Sequence, residues 1–138
     1  MEHFLATYQQ LKASNLDLLA DIYTEDIIFV DPAHEIRGLQ QLTTYFAGLY
    51  ANISEIRFGF HEPLMVGNQG YVQWSMLFRH PRLNGGRVVT VPGTSFLRFA
   101  DSGRVEYHRD YFDLGALLYE HVPLLGGVVK ALKRRMQA

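Results

Sequence analysis

Cysteine is absent from the 138 residues, which excludes disulfides, thiolate nucleophiles and cysteine-based metal sites. Neither sign of charge dominates: 13 basic against 14 acidic side chains leave a formal net charge of −1, so there is no electrostatic footprint for nucleic acid. No run approaches the roughly 20 apolar residues that cross a bilayer. The opening MEHFLATYQQ lacks the basic segment and apolar run of a signal peptide, and a cytoplasmic protein is the expectation. Repeats, low-complexity tracts and linkers are missing too. Six histidines are present, but none has His-Glu-x-x-His spacing, and His108-x-Asp110 offers two ligands without a third, so no metal and no cofactor are expected. What is there, 48% hydrophobic and 20% charged residues, is the composition of one soluble globular domain spanning 1–138.

Helical periodicity dominates the first third. Phe4, Leu5, Tyr8 and Leu11 predict one amphipathic helix; Ser14 caps a second with a stripe of Leu16, Leu19, Ile22 and Tyr23. Ile27 to Val30 reads as a strand that Pro32 stops, which puts Asp31 at its end. A loop, Ala33 to Gly38, leads to a third helix burying Leu39, Leu42, Tyr45, Phe46 and Leu49. After Asn52 the period changes to two. Strands are predicted around Ile56–Phe60, Tyr71–Arg79, Val88–Phe99 and Val105–Asp113, joined by glycine-bearing turns, with Pro92-Gly93 bending the third. The sum is an α+β layout in which helices cover one face of a curved antiparallel sheet. Leu114 to Glu120 turns helical and Pro123 breaks it. The tail 121–138 carries Val128, Val129, Leu132 and Met136 beside Lys130, Lys133, Arg134 and Arg135. Closing the domain as a lid or packing on a partner is its expected use, in preference to lying on a membrane.

The run Val105 to Leu114 is too polar for a core strand. By the two-residue period Glu106, His108, Asp110 and Phe112 share one face, and Val105, Tyr107, Arg109, Tyr111 and Asp113 the other. Residues two apart on a strand sit about 7 Å from each other on one face, so Asp110 can orient the His108 imidazole or act as a base itself. Asp31 is a second carboxylate, also suited to an Asx-type turn. Trp74 shares a face with Val72, Met76 and Phe78, as pocket wall or core, and Tyr45 and Phe46 carry the same two readings. His34 and Glu35 can reach a pocket mouth or sit in a solvated loop.

Tyr23-Thr24-Glu25-Asp26, the strand ending in Asp31-Pro32, and Arg109-Asp110-Tyr111-Phe112-Asp113-Leu114 resemble the nuclear transport factor 2-like superfamily. Its SnoaL-like members include polyketide cyclases, limonene epoxide hydrolase and ketosteroid isomerase. The resemblance implies a cone-shaped sheet wrapped around the N-terminal helices, a pocket at the wide end and a homodimer. It matches Asp110 to the epoxide hydrolase's aspartate, Asp31 to the isomerase's proton-shuttling aspartate and Tyr8 to its oxyanion-binding tyrosine. The chain departs from both enzymes: Met76 and Phe78 stand where the hydrolase has an Arg-x-Asp pair, and Ser95 where the isomerase has a second acid.

The expectation is a small, largely hydrophobic ligand in an apolar cone. Asp110, His108 and Asp31 would carry any cofactor-independent acid–base chemistry, with Tyr8, Tyr45, Trp74, Ser95 and Phe112 contacting the ligand. The alternative is a ligand-binding or protein-interaction module that kept the cone and not the chemistry. Tyr71 and Leu77 on the outer sheet face suggest dimerisation there.

Overall fold

The computed structural model describes residues 1–117 and 125–137. In chain order these form α1 (Glu2–Gln10), a 3-10 turn (Leu16–Leu18), α2 (Leu19–Ile22), β1 (Tyr23–Val30), β2 (Glu35–Arg37), α3 (Leu39–Ala51), β3 (Glu55–Val66), β4 (Gln69–Arg79), a second 3-10 turn (Asn84–Gly86), β5 (Val89–Phe99), β6 (Val105–Phe112), α4 (Leu114–Leu117) and α5 (Leu125–Met136). One six-stranded sheet runs β2-β1-β6-β5-β4-β3. Its two edge strands do not pair, so the sheet stays open and is not a closed barrel. The expected α+β arrangement of N-terminal helices and sheet stands.

The sheet is mixed where an antiparallel meander was expected, because β1 lies parallel to β6. A parallel pair needs a long crossover, and everything from β2 to β5 supplies it. Residues 33–38, expected as a loop, contain β2, which pairs antiparallel with β1. Gly38 then turns the chain at a φ of 92° into α3, its N–H donating to the Ile27 carbonyl at 2.8 Å; a side chain would be strained at that angle.

Two further expectations are corrected. Tyr23, placed on a helical stripe, is the first residue of β1 and is fully buried with Ile27 and Phe29; the helix ends one residue earlier, and no Ser14 side-chain cap forms. Glu106, placed on the inner face of β6, lies outside it. A register shift between Arg98 and Phe99 turns Val105 into the core and leaves Glu106 paired with Arg98 at 3.3 Å. A bulge of this kind inverts the side-chain parity on one side of it.

The core sits between α1, α2, α3 and the concave face of the sheet, where Leu19, Ile27, Leu42, Val72, Leu97 and Val105 are all 0–1% exposed. Each such side chain contributes about 1.5–3 kcal/mol by leaving water. A second cluster, Trp74, Phe78, Val89 and Val91, fills the far half of the sheet. Between the two clusters the packing does not close.

Candidate functional site

The gap is a cavity of about 390 Å³ lined almost wholly by apolar and aromatic side chains, among them Phe29, Tyr50, Phe58, Trp74 and Phe112. α1 contributes Tyr8, the end of β1 Asp31, α3 Tyr45, β4 Trp74, β6 Asp110 and Phe112, and α4 Leu114 and Leu117. Among the described residues lysine and arginine are absent from the lining, and Asp31 and Asp110 supply its carboxylates and His34 and His80 its imidazoles.

Asp110 ends a chain of hydrogen bonds that runs behind the wall. The Trp74 indole N–H donates to Ser95 Oγ at 2.9 Å, and Ser95 donates to Asp110 Oδ1 at 2.5 Å. His108 Nε2 meets the same Oδ1 at 2.6 Å, while its Nδ1 lies 2.7 Å from the Tyr23 hydroxyl. Burial first, then the Asp110 charge, pushes the Tyr23 phenol well above its ordinary range, so Tyr23 keeps its proton. The two ring nitrogens of His108 thus bridge Tyr23 and Asp110. Oδ1 accepts from both Ser95 and His108, Oδ2 takes no donor among the described residues, and Asp110 is one of the residues lining the cavity.

The register makes this alignment possible. β5 and β6 set Ser95 opposite Asp110 and Leu97 opposite His108, and β4 sets Trp74 opposite Gly93. A Cβ at position 93 would stand 2.3 Å from the Trp74 indole; the missing side chain is what lets the ring lie across β5 and reach Ser95.

Tyr8 faces Asp110 from α1. Its ring is 7% exposed, and its hydroxyl has no hydrogen-bond partner among the described residues although it lies on the cavity wall. Burial, followed by the neighbouring Tyr23 and Asp110, raises its pKa well above normal, so it too is a phenol ready to donate. At the mouth Asp31 forms a separate cluster. Oδ1 accepts the N–H groups of Ala33 and His34 at 2.8 and 2.7 Å, and Oδ2 accepts the Tyr45 hydroxyl at 2.9 Å. His34 Nδ1 stands 3.1 Å from Oδ1. Burial and the Asp31 charge push Tyr45 far up.

Of the residues expected at the site, Asp110, Asp31, Tyr8, Tyr45, Trp74 and Phe112 line the cavity. His108 and Ser95 stand one layer behind, bordering a recess of about 10 Å³ at its deep end. Tyr23 and Tyr50 are site residues that the sequence reading missed. Their signals were present: Tyr23 has the strand parity of Ile27 and Phe29, and Tyr50 follows Leu42 and Phe46 at four-residue spacing. Leu49, expected on the buried side of α3, is 39% exposed in consequence.

Residues 3–108 of the chain match a described domain, the SnoaL-like domain. The chain belongs to the SnoaL-like domain family. No curated protein matches it. Solved structures share the fold of this SnoaL-like domain. A protein with a ketosteroid isomerase-like fold from Catenulispora acidiphila, in complex with trimethylamine, is 17% identical, covering 87% of this chain and 93% of that one with a TM-score of 0.75. TerC, co-crystallised with polyporic acid, is 17% identical over 84% and 92% of the two chains with a TM-score of 0.72. A provisionally named SnoaL-like polyketide cyclase from Jannaschia sp. CCS1 is 18% identical over 78% of each, with a TM-score of 0.69.

Proposed function

We propose that this SnoaL-like domain binds a small, largely apolar molecule in its cavity and moves a proton on it by side-chain acid–base chemistry of the isomerase or cyclase type. One observation carries the reading: Asp110, whose Oδ2 takes no donor among the described residues, and Tyr8, a buried phenol with no hydrogen-bond partner among them, line the same apolar cavity. The pair suits removal of a proton from a carbon beside a carbonyl. Asp110 takes the proton and Tyr8 donates to the oxygen on which negative charge develops.

His108, Ser95 and Tyr23 hold the base. Two donors on Oδ1 fix the carboxylate plane, so that Oδ2 is presented without a rotamer search. Asp31, tied to Tyr45 and His34 at the mouth, is the second carboxylate of the cavity wall. Among the described residues the lining has two carboxylates and no basic residue other than histidine, which favours an uncharged substrate over an anionic one. Relatives of the fold crystallised with polyporic acid and with trimethylamine support small organic molecules as the class of ligand.

The test is Asp110→Asn, which is nearly isosteric. Titration followed by the fluorescence of Trp74, the single tryptophan, should show ligand binding little changed while turnover falls about 10²–10⁴-fold. Full activity in the variant would remove Asp110 from the reaction.

A further inference from the structure

Helix α5 carries an apolar face that the domain does not use. Leu125, Val128, Leu132 and Met136 are 45%, 55%, 54% and 89% exposed. At about 100° per residue they form one stripe along the helix. The opposite requirement, contact with the body, is met by other residues: Gly126 is buried, Lys133 pairs with Asp113, and Val129 lies against Gly115, where a Cβ would stand 3.3 Å from Val129 Cγ1. The helix is thus seated on α4 by its flank, with its apolar stripe turned outward, and no α5 residue is among those lining the cavity.

Charge indicates what the stripe meets. Leu125–Met136 contains Lys130, Lys133, Arg134 and Arg135 and no acidic residue, in a chain whose net charge is −1. Arg135 borders the stripe, where a long cationic side chain reaches headgroups while its stem lies on apolar surface. Lys130 and Arg134 are on the far side, within about one Debye length of a surface touched by the stripe. Apolar residues down with cations around them is the pattern of an interfacial helix on an anionic bilayer.

We propose that α5 docks this domain on an anionic membrane surface. The helix rests against α4, whose Leu114 and Leu117 form part of the cavity wall, so docking brings an apolar rim of the cavity toward the lipid. The consequence that the cavity's ligand is drawn from the bilayer rests on the pocket reading above; the docking itself does not.

Co-sedimentation of the full chain with vesicles tests it. Vesicles of phosphatidylcholine with a quarter or so of phosphatidylglycerol should carry the protein down, and pure phosphatidylcholine should carry far less, with binding weakened by salt. Val128→Asp with Leu132→Asp should abolish co-sedimentation while the circular dichroism spectrum is retained. A triple Lys130→Gln, Arg134→Gln, Arg135→Gln variant should lower the partition coefficient at least about tenfold, each cation near the surface being worth up to about fivefold. Equal binding to both vesicle types, or none to the anionic ones, overturns the proposal. So does a finding by analytical ultracentrifugation that wild type ignores vesicles while the Val128/Leu132 variant splits a dimer, which would make the stripe an interface between copies. Loss of turnover in Asp110→Asn with vesicle binding intact would separate the docking from the chemistry.

Discussion

At the scale of single residues, the proposed chemistry depends on a carboxylate, Asp110, with two donors on Oδ1 and none on Oδ2 among the described residues. Replacing Ser95 by Ala removes a donor from Asp110 and leaves the buried Trp74 N–H unpaired. A loss of about 1–3 kcal/mol in chemical denaturation is expected, together with slower turnover, and an unchanged denaturation midpoint would show that the network carries no stability. Tyr8→Phe deletes a hydroxyl that has no hydrogen-bond partner among the described residues, so stability should hold or rise while kcat falls about 10²–10³-fold. The buried phenols also set an alkaline limit. Tyr8 and Tyr23 have folded pKa values raised above the unfolded one, so their contribution is complete below about pH 10, the unfolded value, and is lost as pH rises toward the folded values. Melting temperatures followed upward from neutral pH should fall steeply past about pH 10, and less steeply in Tyr23→Phe.

At the scale of elements, register decides which side chains meet. Gly93→Ala places a methyl into the Trp74 ring, and the overpacking should cost about 1–3 kcal/mol with a shift in Trp74 fluorescence as its bond to Ser95 breaks; an unaltered spectrum would mean that the ring has room to spare. This explains how far the sequence could be read. Period-two alternation located β3 to β6 and put His108, Asp110 and Phe112 on one face, because nothing interrupts the ladder between them. It misplaced Glu106, because a bulge at Arg98/Phe99 is a two-strand event and neither strand's own pattern records it. Tyr23 was misread for a related reason: α2 passes directly into β1, and a residue at that junction fits a stripe of period 3.6 and one of period 2 equally well. The parallel β1–β6 pairing and the cavity depend on long-range packing that no local window contains. The Asp31-Pro32 turn was legible in its turn role, since the carboxylate accepts the two N–H groups that follow, but its reach to Tyr45 across the mouth was not.

At the scale of the whole molecule, an open sheet lined with aromatic rings encloses a cavity it does not fill, and two carboxylates, Asp31 and Asp110, stand on its wall. A cavity of this size, about 390 Å³, costs stability unless something occupies it, so an apolar ligand should raise the melting temperature by mass action. At the opposite pH extreme, the Asp113 carboxyl is held below its ordinary value, chiefly by its bond to Lys133. Its contribution to seating α5 is present above the unfolded carboxylate value near pH 4 and fades as pH falls through the folded one. Amide exchange in α5 should therefore quicken on acidification before the core loosens, and uniform acid unfolding would contradict that. The central claim is that Asp110 abstracts a carbon-bound proton inside the cavity. It is tested most directly by following, by NMR in deuterated water, exchange of the α-protons of uncharged apolar ketones in the presence of the protein. The account predicts exchange accelerated by wild type on a ketone that binds, and none above background with Asp110→Asn although the ketone still quenches Trp74. Equal exchange with both proteins, or binding without exchange for every ketone that enters, would contradict it.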